Sequence, residues 1–252
     1  MTMRRLLALL VLLSVGAASA SLGQEGASAP GLQQAAGTPA ADGAATPDET
    51  AATAITWYAQ ALAQGPGGLN VTHFWSKGPK LRAETVVAGH KVITIVNDDW
   101  YYAYDAIRAN GIRIRRASEA LAKDAPYRRP FGNEALKLIQ QGAEMIRVED
   151  FHGREAEVYQ LTDGFGRRTV WATKDALNIP LRIEMYSRST QARQSTDFTD
   201  WLTGLQLPDG FFDPPSEVQI ESYELEDYAR KIAESGSVGP VPVLYMDLLR
   251  GR

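Results

Sequence analysis

The segment IVNDDWYYAYD, Ile95 to Asp105, sets four aromatic residues into five positions directly after an acidic turn. Side chains of a β-strand alternate between its two faces. Read as a strand, the segment places Trp100, Tyr102 and Tyr104 on one face and Tyr101 and Ala103 on the other. That much apolar surface on one strand requires a cover. The cover is a packed helix, the opposite wall of a core, or an apolar ligand.

Period-two patterning extends in both directions from this strand. Upstream, KLRAETVVA and KVITIVN flank Gly89-His90, a hairpin signal. Downstream, GIRIRRA alternates Ile112 and Ile114 with Arg113 and Arg115. REAEVYQLTD and RRTVWATK flank a second hairpin signal at Asp163-Gly164. PLRIEMYSR sets Leu181, Ile183 and Met185 against Arg182, Glu184 and Tyr186, the pattern of a half-buried antiparallel strand. QARQSTDFTDW is a candidate partner for it, and SEVQIESY a last strand. Helices punctuate this meander. NEALKLIQQG has Asn133 as a cap and Gly142 as a stop, and a shorter turn is expected over 118–123. YELEDYARKIAESG carries its acids early and Lys231 late, as the helix dipole favours. A further helix is expected in DETAATAITWYAQALAQG, with Asp48 and Thr50 as caps, Gly65 as stop, and Ile55, Tyr58 and Leu62 at helical spacing. The fold class expected is α+β and mostly β: one large curved antiparallel sheet with helices on one face.

The N-terminus reads as an export signal over residues 1–20. Arg4 and Arg5 precede an apolar run from Leu6 to Gly16, and Ala18-Ser19-Ala20 gives a small-residue cleavage pattern. Residues 21–50 are dominated by Ala, Gly, Pro, Ser and Thr and read as a flexible tether, because such a composition cannot bury enough apolar surface to offset chain entropy. The expected globular domain covers 51–222, and a helix with an apolar tail follows over 223–252. With no cysteine in the chain, neither a disulfide nor a lipidated cysteine is available, and the fold rests on its core.

The balance of 26 basic and 30 acidic residues argues against nucleic acid as a partner, because phosphate contacts need a basic footprint. Signals for catalysis are sparse. His73, His90 and His152 lie far apart, and no H-E-x-x-H helix, G-x-S-x-G elbow or P-loop occurs. Neither a metal site nor a cofactor is expected. His90 reads as a solvated turn residue. One basic cluster, Arg108, Arg113, Arg115, Arg116, Arg128 and Arg129, reads either as the solvated side of strands and loops or as a patch for an anionic partner.

Three segments, taken in order, resemble the periplasmic lipoprotein-carrier superfamily, the LolA-like proteins. GPKLRAETVVAGHKVITIVNDDWYYAYD resembles that family's basic strand, hairpin, Asp-containing turn and aromatic strand, with Leu81-Arg82, Asp98-Asp99 and Trp100–Tyr104 in the corresponding places. VWATKDALNIPLRIEMYSR resembles its strand, loop, Pro-Leu and amphipathic strand, and LQLPDGFFDPP its ending. The resemblance covers roughly residues 70–220. It implies an unclosed antiparallel β-barrel with helices covering the concave face, and a non-catalytic, soluble periplasmic protein. Such a protein binds a lipid or a lipoprotein acyl chain, as a carrier or as a sensor in an envelope membrane complex. The expected ligand-binding residues are Arg82, Val92, Val96, Trp100, Tyr102, Tyr104, Trp171 and Ile183, with Arg82 controlling release. The plainer reading of Arg82 is a partner for Glu84, two residues on and on the same strand face. The tether and the tail depart from the carrier pattern. Val241, Val243, Leu244, Tyr245 and Leu248 make the tail apolar enough to plug the cavity or to dock on a partner. The alternative to lipid binding is an envelope protein-interaction module with a filled core.

Overall fold

The structure, a computed structural model, describes residues 55–127, 131–175 and 177–251. The expected export signal, the tether, the start of the first expected helix, and Arg128 and Arg129 lie outside the described residues.

Among the described residues, twelve strands form one sheet. They are β1 (Thr56–Gly65), β2 (Gly68–Lys77), β3 (Lys80–Val87), β4 (His90–Asn97), β5 (Trp100–Asp105), β6 (Asn110–Arg115), β7 (Glu144–Phe151), β8 (Arg154–Thr162), β9 (Gly166–Thr173), β10 (Pro180–Ser187), β11 (Arg193–Thr203) and β12 (Gln219–Tyr223). Their order is β12-β6-β5-β4-β3-β2-β1-β11-β10-β9-β8-β7, so β12 and β7 are the edges and the barrel does not close. All pairings are antiparallel except β12 with β6, which is parallel. Among the described residues the α-helices are α1 (Ser118–Asp124), α2 (Glu134–Gln140), α3 (Leu225–Ser235) and α4 (Met246–Arg250). The mostly-β half-barrel with helices is the architecture expected from the sequence.

Directly opposed residues on paired strands share a face, and two rows across the first half of the sheet show how the faces divide. One row runs Trp57, Ser76, Leu81, Val96, Tyr101, Ile114, Tyr223. Every member is buried, and the apolar members join the main core with residues of α3, α4 and the chain between them. This is the helical face. The adjacent row runs Tyr58, Trp75, Arg82, Ile95, Tyr102, Arg113, Ser222 and forms the outer face.

One expected element is corrected. The segment 56–65 is strand β1, not the end of a helix. Its alanines favour a helix intrinsically, and Ile55, Tyr58 and Leu62 happen to fall at helical spacing. Tertiary pairing overrides both. β1 lies in the middle of the sheet, hydrogen-bonded to β2 on one side and β11 on the other. Trp57, Ala59 and Ala61 are buried on the helical face, where small side chains let the two halves of the core approach. Strand β7 has no counterpart among the expected strands. Nearly all of it is exposed, so it lacks the one-sided pattern that marks a half-buried strand.

Candidate functional site

The aromatic strand β5 uses both of its faces. Tyr101 and Ala103 enter the main core. Trp100, Tyr102 and Tyr104 stand on the outer face, under more than one cover. Trp100 lies beneath two guanidiniums, Arg113 at 4.6 Å and Arg115 at 5.1 Å from its ring centre. Arg113 donates to Ser222 Oγ (2.8 Å), and Arg115 lies 3.7 Å from Glu224 and 3.9 Å from Asp99. Tyr102 and Tyr104 pack with Ile93 and Ile95 against Phe211 and Phe212, which sit in a short 3-10 turn over 209–212.

Arg82 ties that turn to the sheet. Its Nη1 donates to the Phe211 carbonyl (3.0 Å), and its guanidinium stacks over the Phe211 ring at 4.7 Å. Its Nε and Nη2 grip Glu84 Oε1 at 2.9 Å each, and Lys91 holds the other oxygen at 2.8 Å. Burial raises the Glu84 pKa, but Lys91 and Arg82 outweigh it and leave the carboxyl below its usual range. Arg82 therefore makes the expected pair with Glu84 and also anchors a loop that the sequence did not reveal.

On the helical face, Val92 and Val96 belong to the main core, and the C-terminal segment lies in that same core. Val241, Val243, Leu248 and Leu249 are buried there. Tyr245 donates its backbone N–H to Tyr101 Oη (3.2 Å) and meets the Phe74 ring edge-on at 5.9 Å. Burial pushes the hydroxyls of Tyr101 and Tyr245 well above the usual tyrosine range. Gly239 passes so close to β6 that a Cβ there would lie 2.5 Å from Ile112 Cγ2. Buried Arg116 clamps the end of the segment. Its Nε donates to the Leu248 carbonyl (2.7 Å), its Nη1 to the Asp98 carbonyl (3.3 Å), and its Nη2 pairs with Asp124. Ala117 N–H adds a bond to the Leu249 carbonyl (2.9 Å). The tail thus plugs the helical face.

In the second half of the sheet, Trp171 shares a row with Arg147, Val158, Arg182 and Asp197. Arg147 and Arg182 lie 5.7 and 5.8 Å from its ring centre, and its Nε1 donates to Glu149 Oε1. Trp171 is buried and belongs, with Val158, to the main core. Ile183 pairs with Val170 and packs both against the main core and against the cluster beside α2.

The eight expected ligand-binding residues therefore do not line one cavity. Arg82, Trp100, Tyr102 and Tyr104 are on the outer face, whereas Val92, Val96 and Trp171 belong to the main core and Ile183 packs against both that core and the cluster beside α2. The reason is the turn at Asp98-Asp99. A two-residue hairpin turn makes Asn97 face Trp100, so Val96 faces Tyr101 and Val92 faces Asp105. Even-numbered residues of β4 share a face with odd-numbered residues of β5. The sequence contained the signal, a two-residue acidic turn in which Asp98 takes a positive φ of 49°.

The basic cluster also disperses. Arg113 and Arg115 are outer, Arg116 is buried, and Arg108 stands in a turn 3.8 Å from Asp105. His90 is more than a solvated turn residue, since its Nδ1 bonds Asp105 Oδ2 at 2.7 Å. Burial alone would raise the Asp105 pKa, but the backbone N–H groups of Arg108 and Ile107, with His90, hold it below the usual range. Among the described residues no group of three or more His, Cys, Asp or Glu could hold a metal ion, and no helix is long and apolar enough to cross a membrane.

No protein-family model and no curated protein matches the chain. Solved structures do. An uncharacterised conserved protein from Thermus thermophilus is similar at 10% identity and a TM-score of 0.48, over 66% of this chain and 90% of that one. The Pseudomonas aeruginosa MucA/MucB complex is similar at 15% identity and a TM-score of 0.44, over 66% of this chain and 58% of that one. A putative outer membrane lipoprotein-sorting protein domain from Vibrio parahaemolyticus is similar at 16% identity and a TM-score of 0.29, over 66% of this chain and 91% of that one.

Proposed function

We propose that this chain is a non-catalytic, exported protein of the periplasm that acts as an envelope protein-interaction module with a filled core. The observation that carries this reading is the C-terminal segment. Val241, Val243, Leu248 and Leu249 are buried against the sheet face where a carrier of this shape would hold an acyl chain. The outer face supports the non-catalytic part, because its carboxylates are engaged. Glu84 is held by Arg82 and Lys91, Glu149 by Arg147 and Trp171, and Asp209 by Lys77.

A second reading, an acyl-chain carrier or sensor, has one observation in its favour. Residues 238–245 add no strand to the sheet and rest mainly on side-chain packing, so the segment is displaceable without breaking a ladder. In that reading Val92 and Val96 face the ligand once the tail leaves. Arg82, Trp100, Tyr102 and Tyr104 then serve the outer surface, Trp171 stays in the main core, and Ile183 serves the region beside α2.

Native mass spectrometry of residues 21–252, purified without detergent and then incubated with phospholipid, separates the two. The filled-core module gives a clean apo mass before and after incubation. A co-purifying lipid mass overturns it in favour of the carrier.

A further inference from the structure

Three arginines at one end of the sheet meet around one concavity. Thr162, Arg167, Tyr186 and Arg193 form one row across β8, β9, β10 and β11. Arg188 follows at the end of β10, where its backbone N–H bonds the Phe165 carbonyl (2.9 Å) and holds the β10–β11 turn against the β8–β9 turn. With Gln160 and Gly166, these residues line a cavity of about 320 Å³. Gly166 is what allows the turns to meet, because a Cβ there would overlap the Tyr186 carbonyl oxygen.

Three neighbouring arginines have carboxylates: Arg147 has Glu149, Arg168 has Asp163, and Arg182 has Glu184 and Asp197. Among the described residues, Arg167, Arg188 and Arg193 have no carboxylate within ion-pair distance. The side-chain contact of Arg193 is its stacking over Tyr186 at 6.0 Å. Glu184, two residues before Tyr186 on β10, is already bound to Arg182. Three unneutralised guanidiniums around one concavity repel one another, in a chain whose net charge is −4. An anion that bridges them removes that cost.

We propose that Arg167, Arg188 and Arg193 form a binding site for a phosphate-bearing ligand. Guanidinium forks match the oxygens of a phosphate group, and Gln160, Thr162 and Tyr186 add neutral donors at the same wall. The volume suits a phosphate with a small substituent. Apart from Gly166 the lining residues are Arg, Gln, Thr and Tyr, so the site would take a headgroup and not an acyl chain. Free phosphates and the phosphate of a lipid headgroup share this chemistry. The proposal does not depend on either reading of the helical face, which is formed by other residues.

The test is calorimetric titration of the full exported chain with inorganic phosphate at constant ionic strength, beside flotation with phosphatidylglycerol and phosphatidylcholine vesicles. The comparison variants are Arg167→Ser/Arg188→Ser/Arg193→Ser, Arg188→Ser alone, and the control Arg230→Ser on α3. Phosphate binding that falls at least tenfold in the triple variant and severalfold in Arg188→Ser, but not in the control, supports a free-phosphate site. Selective retention on phosphatidylglycerol with the same losses supports a headgroup site. Arg188 lies in an exposed turn, so its variant keeps the fold if the triple variant does not. Neither form of binding, or binding unchanged in Arg188→Ser, overturns the proposal.

Discussion

Leu249→Ala tests whether the C-terminal segment is part of the core. Leu249 has no solvent-exposed surface. Its carbonyl accepts from Ala117 N–H, so the backbone is fixed as well as the side chain. Truncating a buried leucine loses the transfer free energy of the removed carbons and leaves a cavity. Together these cost about 2–5 kcal/mol, the upper part of the range applying where the walls cannot collapse. Here one wall is the sheet and another is α1, on which Gly251 closes so tightly that a Cβ would lie 2.6 Å from Ala120 N. Little relaxation is available, and a loss of about 3–4 kcal/mol is expected. For a domain of this size that lowers the melting temperature by roughly 6–16 °C. The assay is urea unfolding of Leu249→Ala beside Leu202→Ala, whose side chain is 53% exposed. The expected result is a lower midpoint at unchanged slope for Leu249→Ala, and a shift within about 0.5 kcal/mol for Leu202→Ala. If the two variants unfold alike, the tail is not core, and the filled-face argument fails with it.

Two further outcomes follow from the ion pairs. Asp124→Ala removes the carboxylate from buried Arg116 and should cost about 3–5 kcal/mol, whereas Glu155→Ala at the exposed Lys174 pair should cost far less; chemical denaturation of both variants measures the contrast. The Asp105 pKa is depressed in the folded state, so its contribution to stability is full above the unfolded aspartate value and is lost as pH falls through the folded one. Asp105→Asn should therefore be less stable than the parent near neutrality and lose less stability below about pH 4, and parallel acid-unfolding curves for the two would contradict this.

Much of the sheet was legible because its hairpins announce themselves. Gly89-His90 and Asp163-Gly164 both announce turns, the first lying one residue earlier than expected, at Ala88-Gly89 with both at positive φ and His90 opening β4, and the second closed by the Asp163 carboxylate accepting from Phe165 and Gly166 N–H. The helices at 118–123, 133–142 and 223–236 appear as α1, α2 and α3, the last closed by Gly236 in the left-handed region. What the sequence hides is non-local. β1 reads as helix until its two neighbours are known, and the parallel pairing of β12 with β6 depends on a crossover of about a hundred residues. The anion site escapes for the same reason: Arg167, Arg188 and Arg193 meet only because two hairpins bring their turns together.

The candidate ligand wall failed at a smaller scale, the register of one turn, and the correction changes what the aromatic strand means. Four aromatics in five positions suggest a single greasy surface only if one face is counted. Counted by face, Tyr101 seals the core and receives the Tyr245 N–H, Trp100 supports two guanidiniums, and Tyr102 and Tyr104 support the Phe211-Phe212 turn held by Arg82. Each aromatic already has its cover from within the chain. A strand so fully covered on both sides is a keystone between the tail and the 3-10 turn. Any ligand for the helical face must therefore first displace the tail, whereas a ligand for the three arginines displaces nothing.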